Sequence, residues 1–183
     1  ALEWRAVCVH HVPGGVARAL AEQLGSSEAQ HLQGGGVAPQ DFRLAAEEAG
    51  RLGGEVVPLD IAPGSDGRFA IVRRFPIGPV LGITPFNFPL NLVAHKVAPA
   101  MASGNPIIIK PAPRTPLTAL ILGEIVTEAL WPSGGLNVVV CANEHAALLW
   151  DDQRIKKLSF TGSAKIGWML KEKAGTRKVT LEL

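Results

Sequence analysis

The chain has little that would link it to a membrane, a nucleic acid or a metal. Its net charge of +2 over 183 residues is too small to indicate nucleic acid or an anionic membrane as a partner. No apolar run is long enough to span a bilayer, and the first residues lack the pattern of a signal peptide. The possible metal ligands Cys8, His10 and His11 have no second cluster with which to close a site. We therefore expect no bound metal, and neither a nucleic acid nor a membrane as a partner.

Cysteine is also scarce, with Cys8 and Cys141 as the two thiols and no CxxC spacing. This usage favours a reducing compartment, and we expect a cytoplasmic location. Cys141 follows a predicted strand, and Glu144 and His145 are near it in sequence. It is therefore a candidate catalytic thiol, with a buried structural cysteine as the alternative.

The second half of the chain alternates short apolar strands with helices. The predicted strands cover residues 80–84, 106–110, 136–140, 157–160 and 178–183, and each connection is long enough for a crossover helix. Runs such as Ile107-Ile108-Ile109 are typical of strands covered on both faces. The pattern predicts an α/β fold, with a doubly wound, Rossmann-like sheet of five parallel strands, in a dinucleotide-binding domain at residues 77–183.

Two other segments precede this domain. Residues 1–53 form a predicted N-terminal helical segment, with helices at 16–24 and 41–52. Residues 54–76 form a predicted β-hairpin, because a Pro-Gly-Ser-Asp-Gly turn separates two extended runs. A two-stranded hairpin is not stable alone, so we expect it to pack either on another subunit or domain, or back on its own domain.

Polar residues follow the strands on the rim where α/β sheets bind ligands. In the sequence Ile83-Thr84-Pro85-Phe86-Asn87-Phe88-Pro89, two prolines stiffen a loop that holds one amide. Asn87 either binds an oxyanion or carbonyl, or caps a rigid turn. Lys110 either reaches a ribose or phosphate, or snorkels at a sheet edge. Glu182 is either a partly desolvated general base or a solvated strand end.

A helix begins at the sequence Phe160-Thr161-Gly162-Ser163. Gly162 permits a tight turn, and the free N–H groups and dipole of the helix would suit a pyrophosphate. The alternative is an ordinary Ser163 N-cap. The sequence contains no GxGxxG fingerprint that would decide between them.

Taken together, these motifs resemble the aldehyde dehydrogenase superfamily. The resemblance runs from about Phe42 to Leu183. It is densest at residues 83–89, 104–112, 115–119, 160–167 and 179–183.

The resemblance implies NAD(P)-dependent oxidation of a small-molecule aldehyde to a carboxylic acid. A cysteine thiolate attacks the aldehyde, the adduct loses hydride to the nicotinamide, and water hydrolyses the thioester. Asn87 would donate to the oxyanion, Glu182 would activate water, and Lys110 would hold the adenosine ribose. The hairpin would correspond to the arm of a homo-oligomer. The residues that would line the cofactor cleft are Thr84, Phe86, Phe160, Gly162, Ser163 and Ile166.

Two departures from the family pattern matter. The family's nucleophilic cysteine lies beyond the Glu182 motif, so neither Cys8 nor Cys141 matches it, and we expect a truncated cofactor-binding part that is inactive alone. Pro113 stands where an acidic residue often follows the lysine, so Arg114 could pair with a 2′-phosphate, and NADP is expected to bind at least as well as NAD. The alternatives are a non-catalytic nucleotide-binding or assembly module, and an acylating or phosphate-linked reductase of the same superfamily.

Overall fold

A computed structural model describes residues 38–183. The predicted helix at 16–24 and the cluster Cys8, His10 and His11 lie outside the described residues. None of the described helices is long and apolar enough to cross a bilayer. In chain order the elements are α1 (Ala38–Ala49), β1 (Gly54–Pro58), β2 (Phe69–Arg73), β3 (Val80–Ile83), α2 (Asn91–Ala102), β4 (Ile107–Lys110), α3 (Leu117–Glu128), β5 (Leu136–Val138), a 3₁₀ turn (Asn143–His145), α4 (Ala146–Trp150), β6 (Lys157–Thr161), α5 (Ala164–Lys173) and β7 (Lys178–Glu182).

The predicted α/β fold is confirmed. Five strands form one parallel sheet in the order β5-β4-β3-β6-β7, and β1 and β2 form a separate antiparallel pair. Most strand ends lie within one or two residues of their predicted positions. The one exception is in the hairpin, where β1 ends three residues earlier than predicted. The predicted helix at 41–52 begins three residues earlier, at Ala38, and ends at Ala49.

The sheet is covered on both faces, as continuous apolar strands require. Ile107 and Ile109 lie in one buried cluster, and Ile108 lies in a second cluster. The first cluster includes residues of α1, α2 and α3, and the second includes residues of α4 and α5. Burying each of these isoleucine side chains contributes about 1.5–3 kcal/mol, so the middle of the sheet is a rigid platform for the residues at its ends.

The strand order places a topological switch point between β3 and β6. The chain runs outward from β3 through β4 to β5, then returns to the other side of β3 with β6 and β7. The connections therefore diverge at the carboxyl ends of β3 and β6, which leaves a crevice there. Thr84 follows one of these strands, and Gly162 follows the other.

The hairpin does not pack against the other described elements. Val56, Phe69 and Ile71 are each more than 60% exposed, and most of the other hairpin residues are exposed as well. The alternative in which the hairpin packs on its own domain is not seen among residues 38–183. A two-stranded hairpin with this much apolar surface is marginal in water on its own.

Leu130, just after α3, is the one described non-glycine residue with a positive φ, at 60°, and its side chain is 85% exposed. We expect Leu130→Gly to raise the free energy of unfolding by about 1 kcal/mol, because glycine adopts this backbone conformation without the steric cost of a Cβ. Urea unfolding measures the change. Leu120→Gly, within α3, should instead destabilise the chain by about 1 kcal/mol. Equal losses for both variants would show that Leu130 is not strained.

Candidate functional site

The sheet register brings the predicted site residues to one rim. Ile83 pairs with Lys110 on one side and with Phe160 on the other, and Thr161 pairs with Glu182. The carboxyl ends of the four neighbouring strands β4, β3, β6 and β7 therefore lie side by side along one end of the sheet. The residues that follow β3 and β6 flank the crevice at the switch point.

The loop after β3 presents its amide to solvent. Phe86, Asn87 and Phe88 are all exposed, and Asn87 makes no side-chain hydrogen bond to another described residue. The N-cap position of α2 is Leu90, and no side chain caps that helix. The alternative that Asn87 is a local cap is therefore wrong. Its carbonyl and NH₂ groups are available to a ligand.

Lys110 is only 1% exposed, and its Nζ donates a hydrogen bond to Asn143 Oδ1. Burial lowers the pKa of Lys110, with nearby Cys141 acting in the opposite direction. The alternative of a lysine snorkelling at a sheet edge is wrong, because β4 is an interior strand and the amine is held at its carboxyl end.

The N-terminus of α5 has free donors. Ser163 is in the N-cap position with an extended backbone, but its side chain makes no capping hydrogen bond. The predicted Ser163 cap is therefore absent, because the exposed hydroxyl does not bond back to the helix. The first N–H groups of α5 have no intrahelical acceptor, so this end of the helix suits an anion.

Phe160 sets the shape of this helix start. Its ring is 6% exposed, and a Cβ built on Gly162 would lie 2.6 Å from the tip of that ring. A Cβ on Gly167 would be at ordinary contact distance from the same ring, 3.4 Å, but only 2.3 Å from Cδ2 of the exposed Leu183. Gly162 therefore lets the helix start approach the Phe160 ring closely. Ile166, on the first turn of α5, is 41% exposed beside the free N–H groups.

Glu182 belongs to a hydrogen-bonded chain that crosses the rim. Lys96 Nζ donates to Thr161 Oγ1 at 2.6 Å, and Thr161 Oγ1 donates to Glu182 Oε2 at 2.9 Å. Glu182 itself is exposed. Of the two alternatives for its carboxylate, the structure shows the solvated strand end, because β7 is an edge strand whose residues alternate between exposed and half-buried.

Lys96 is the buried end of this chain, at 5% exposure in the middle of α2. Burial lowers its pKa from 10.5 to about 8, against the raising effect of Glu182. Gly82 makes room for its aliphatic stem, since a Cβ there would lie 3.3 Å from Lys96 Cδ. An amine with this pKa exchanges protons close to neutral pH.

These residues fit a dinucleotide. Thr84 is 4% exposed at the crevice, and its Oγ1 is buried without a hydrogen-bond partner. An unpartnered buried hydroxyl is costly unless a ligand completes it. The free N–H groups of α5 fit a pyrophosphate, and the amine of Lys110 fits a ribose or phosphate.

Three residues of this site were not identified as site residues from the sequence: Lys96, Thr161 and Asn143. Lys96 stands out as a cation within an apolar helix, and Gly82 as a glycine within a buried strand, so a signal exists for this pair. Asn143 carried no comparable signal. Its contact with Lys110 joins residues 33 positions apart.

Comparisons with known proteins show the family to which the chain belongs. Residues 14–183 match the aldehyde dehydrogenase family. The 3-sulfolactaldehyde dehydrogenase of Priestia aryabhattai is 43% identical over 168 residues, which is 91% of this chain and 35% of that protein. This chain therefore spans about a third of the length of that relative.

Solved structures of the family share the fold. Aldehyde dehydrogenase 21 from Physcomitrella patens, in complex with succinate, superposes with a TM-score of 0.84 at 44% identity, over 93% of this chain and 39% of that one. The glyceraldehyde-3-phosphate dehydrogenase of Methanocaldococcus jannaschii, in complex with NADP, gives 0.83 at 33% identity, over 93% and 40%. An NAD⁺ complex of an aldehyde dehydrogenase from Bacillus cereus gives 0.85 at 26% identity, over 93% and 38%. The chain belongs to the aldehyde dehydrogenase family.

Proposed function

We propose that this chain forms the cofactor-binding part of an enzyme that oxidises an aldehyde to a carboxylic acid with NADP or NAD. The observation that carries the proposal is the convergence of Asn87, Lys110, the α5 N-terminus and Glu182 on one rim at the switch point. Solved relatives that bind NADP or NAD support the cofactor, and the names of the relatives support the aldehyde.

The cofactor would lie along the rim between β3 and β6. Lys110 would hold the adenosine ribose, and the first N–H groups of α5, beside Gly162 and Ser163, would bind the pyrophosphate. Thr84 would supply its unpartnered hydroxyl. When bound, the nicotinamide supplies the group that accepts hydride from the substrate carbon.

Asn87 would stabilise charge on the substrate oxygen. Its amide projects from a loop stiffened by Pro85 and Pro89, so its NH₂ group is held without a competing intramolecular bond. A donor fixed in advance stabilises a developing oxyanion without reorganising, and removal of one such donor typically costs about 10²–10³-fold in rate.

Glu182 would take a proton from the attacking water. Its exposed carboxylate can meet the water, and Thr161 links it to the amine of Lys96. The pKa of Lys96 is about 8, so this amine would set the charge next to the carboxylate near neutral pH. We propose that Lys96, as an ammonium that donates to the Thr161 hydroxyl, keeps the Glu182 carboxylate ionised and so able to accept the proton of the water.

The nucleophilic thiol would come from sequence outside the 183 residues. Cys141 is half-buried beside Lys110, on the side of the rim where the adenosine would lie, and so it is badly placed to attack the aldehyde. We therefore propose that these residues alone bind cofactor without turnover. The exposed hairpin supports a homo-oligomer for the complete enzyme, with the hairpin as the arm that contacts a partner.

Tryptophan fluorescence tests cofactor binding directly. Trp168 is 58% exposed on α5, close to Ser163, so a bound nicotinamide nucleotide should quench its emission. We expect saturable quenching by NADP and NAD, with calorimetry giving the affinities. No response at millimolar cofactor would overturn the cofactor role and favour the non-catalytic assembly module, which the exposed hairpin alone supports.

Arg114 is the candidate for cofactor discrimination. Its guanidinium lies 4.8 Å from the centroid of the Phe86 ring and has no carboxylate partner among the described residues, and Pro113 adds no opposing charge. We expect Arg114→Gln to weaken NADP binding by about tenfold and to leave NAD binding unchanged, because only NADP carries the 2′-phosphate. Calorimetry with both cofactors measures the ratio.

Arg73→Gln is the matched control for this prediction. Arg73 makes the same kind of contact with Phe75, at 5.4 Å, but lies in the hairpin. Arg73→Gln should alter neither the affinity for NADP nor the affinity for NAD. Equal losses of NADP and NAD binding in Arg114→Gln would show that Arg114 supports the loop rather than the 2′-phosphate, and tighter binding of NAD than of NADP by the unaltered chain would contradict the preference itself.

A further inference from the structure

A cavity that is open to solvent lies at the end of the strands opposite the cofactor rim. It has a volume of about 450 Å³. Its walls come from the segment before β3 and from the starts of β6 and β7, so it lies at the amino ends of the strands. The residues that line it are Ile77, Gln153, Ile155, Lys156, Thr176, Arg177 and Lys178.

The described residues that line this cavity carry positive charge. Lys156, Arg177 and Lys178 line it, and none of the described lining residues is acidic. The nearby Asp152 accepts hydrogen bonds from Arg154, at 2.5 Å in the closest contact, and is engaged in that pair. Three cations with no carboxylate among the lining residues create a local positive potential that attracts an anion.

Arg177 is fixed in place rather than solvated freely. Its guanidinium stacks at 3.7 Å from the centroid of the Trp150 ring, and its Nη1 donates to the Trp150 carbonyl oxygen. Its Nε donates to the carbonyl of Ala174 at 3.4 Å. These contacts use two of the five N–H donors and hold the guanidinium without neutralising it. The remaining donors are fixed in advance and suit phosphate.

Lys156 is also held at the cavity. Its Nζ donates to the carbonyl of Gln153 at 3.0 Å, and its backbone N–H donates to the carbonyl of Pro79 at 2.8 Å. Gly78 has a φ of 110°, and a Cβ there would lie 3.1 Å from Lys156 Cγ. The amine keeps donors for a ligand, because an ammonium group carries three.

We propose that this cavity binds a small phosphate ester, with Arg177, Lys156 and Lys178 around the phosphate and Ile77 and Ile155 against the organic part. The volume is within the range of small-molecule sites, about 300–1,000 Å³, and exceeds the need of a bare phosphate ion. The site is separate from the cofactor rim, and the proposal does not depend on the function assigned to that rim.

The test is an NMR titration with phenyl phosphate, inorganic phosphate and phenol as probes. The indole N–H of Trp150 reports on Arg177, which stacks on its ring, and the indole of Trp131, in the other core cluster, is the internal reference. We expect phenyl phosphate to shift the Trp150 indole and the amides of residues 176–178 saturably. Inorganic phosphate should do so more weakly, and phenol should not.

Two variants of the cavity and one control variant at the cofactor rim make the result specific. Arg177→Gln should reduce the affinity for phenyl phosphate at least tenfold. Lys156→Gln, which leaves the contact between Arg177 and Trp150 intact, should reduce this affinity several-fold. The test therefore does not depend on Arg177 alone, whose side chain also contributes to the fold. Ser163→Asp, which blocks the α5 N-terminus at the cofactor rim, should leave these shifts unchanged.

Three outcomes would overturn the proposal. One is a set of shifts that never saturates, as weak, non-specific association of phosphate with surface lysines would give. Another is an affinity that neither Arg177→Gln nor Lys156→Gln changes. The third is a response confined to residues 162–166 that disappears in Ser163→Asp, which would place phosphate binding at the cofactor rim alone.

Discussion

Ser163→Asp is expected to weaken NADP binding by 100-fold or more while slightly stabilising the chain. Aspartate is a good N-cap and would occupy the free N–H groups of α5, which adds about 0.5–1 kcal/mol to stability. The same carboxylate would oppose the pyrophosphate. Two like charges about 4 Å apart repel by about 4 kcal/mol at an effective dielectric constant of about 20. Calorimetry gives the affinity, and urea unfolding gives the stability.

The opposite signs of these two effects separate binding from folding. Ser133→Asp adds the same charge to an exposed loop at the amino end of β5, so it should change neither quantity appreciably. Ser163→Ala removes a hydroxyl that makes no cap hydrogen bond, so its stability should stay close to that of the unaltered chain. Full NADP affinity in Ser163→Asp would show that the pyrophosphate does not lie at α5.

Lys96→Met is expected to raise the free energy of unfolding at pH 7 by about 2 kcal/mol. The lowering of the lysine pKa from 10.5 to about 8 means that burying the charge costs about 3 kcal/mol. Methionine fills a similar volume without a charge, and the lost hydrogen bond to Thr161 offsets about 1 kcal/mol of the gain.

The sign of the pH dependence follows from the same pKa. Below pH 8 the Lys96 amine is protonated in both the folded and the unfolded state, so the folded state bears the full cost of burying the charge. Between pH 8 and pH 10.5 the folded state releases the proton while the unfolded state keeps it, so the stability of the unaltered chain rises with pH. The advantage of Lys96→Met should therefore shrink across this window.

Urea unfolding at several pH values measures this advantage. Lys165→Met, an exposed lysine on α5, should change stability by less than about 0.5 kcal/mol at every pH. A Lys96→Met chain that is less stable than the unaltered one at pH 7, or a stability difference that does not vary from pH 7 to pH 10.5, would contradict the proposed burial cost.

The fold could be predicted because each strand carries its own signal. The run Ile107-Ile108-Ile109 indicates a strand covered on both faces, and the structure places its members in two separate clusters. The rule that ligands bind at carboxyl ends of strands then predicted that Asn87, Lys110 and Glu182 share a rim. Both inferences use short stretches of sequence and one topological rule.

The finer features depend on contacts that sequence spacing does not reveal. The hydrogen bond from Lys96 to Thr161 joins residues 65 positions apart, and it requires the space left by Gly82. The sequence did not decide whether Glu182 is partly desolvated or lies at a solvated strand end, and the edge strand leaves it exposed. The cavity around Arg177 likewise forms only when three strand starts come together.

The central claim is that NADP binds across the carboxyl rim at the switch point. The most direct measurement is an amide NMR titration of the chain with NADP. We expect saturable shifts at residues 162–166, at Thr84 and at Lys110, with one cofactor bound per chain. An absence of shifts at millimolar NADP would contradict the account. So would shifts confined to residues 153–156 and 176–178, at the amino ends of the strands.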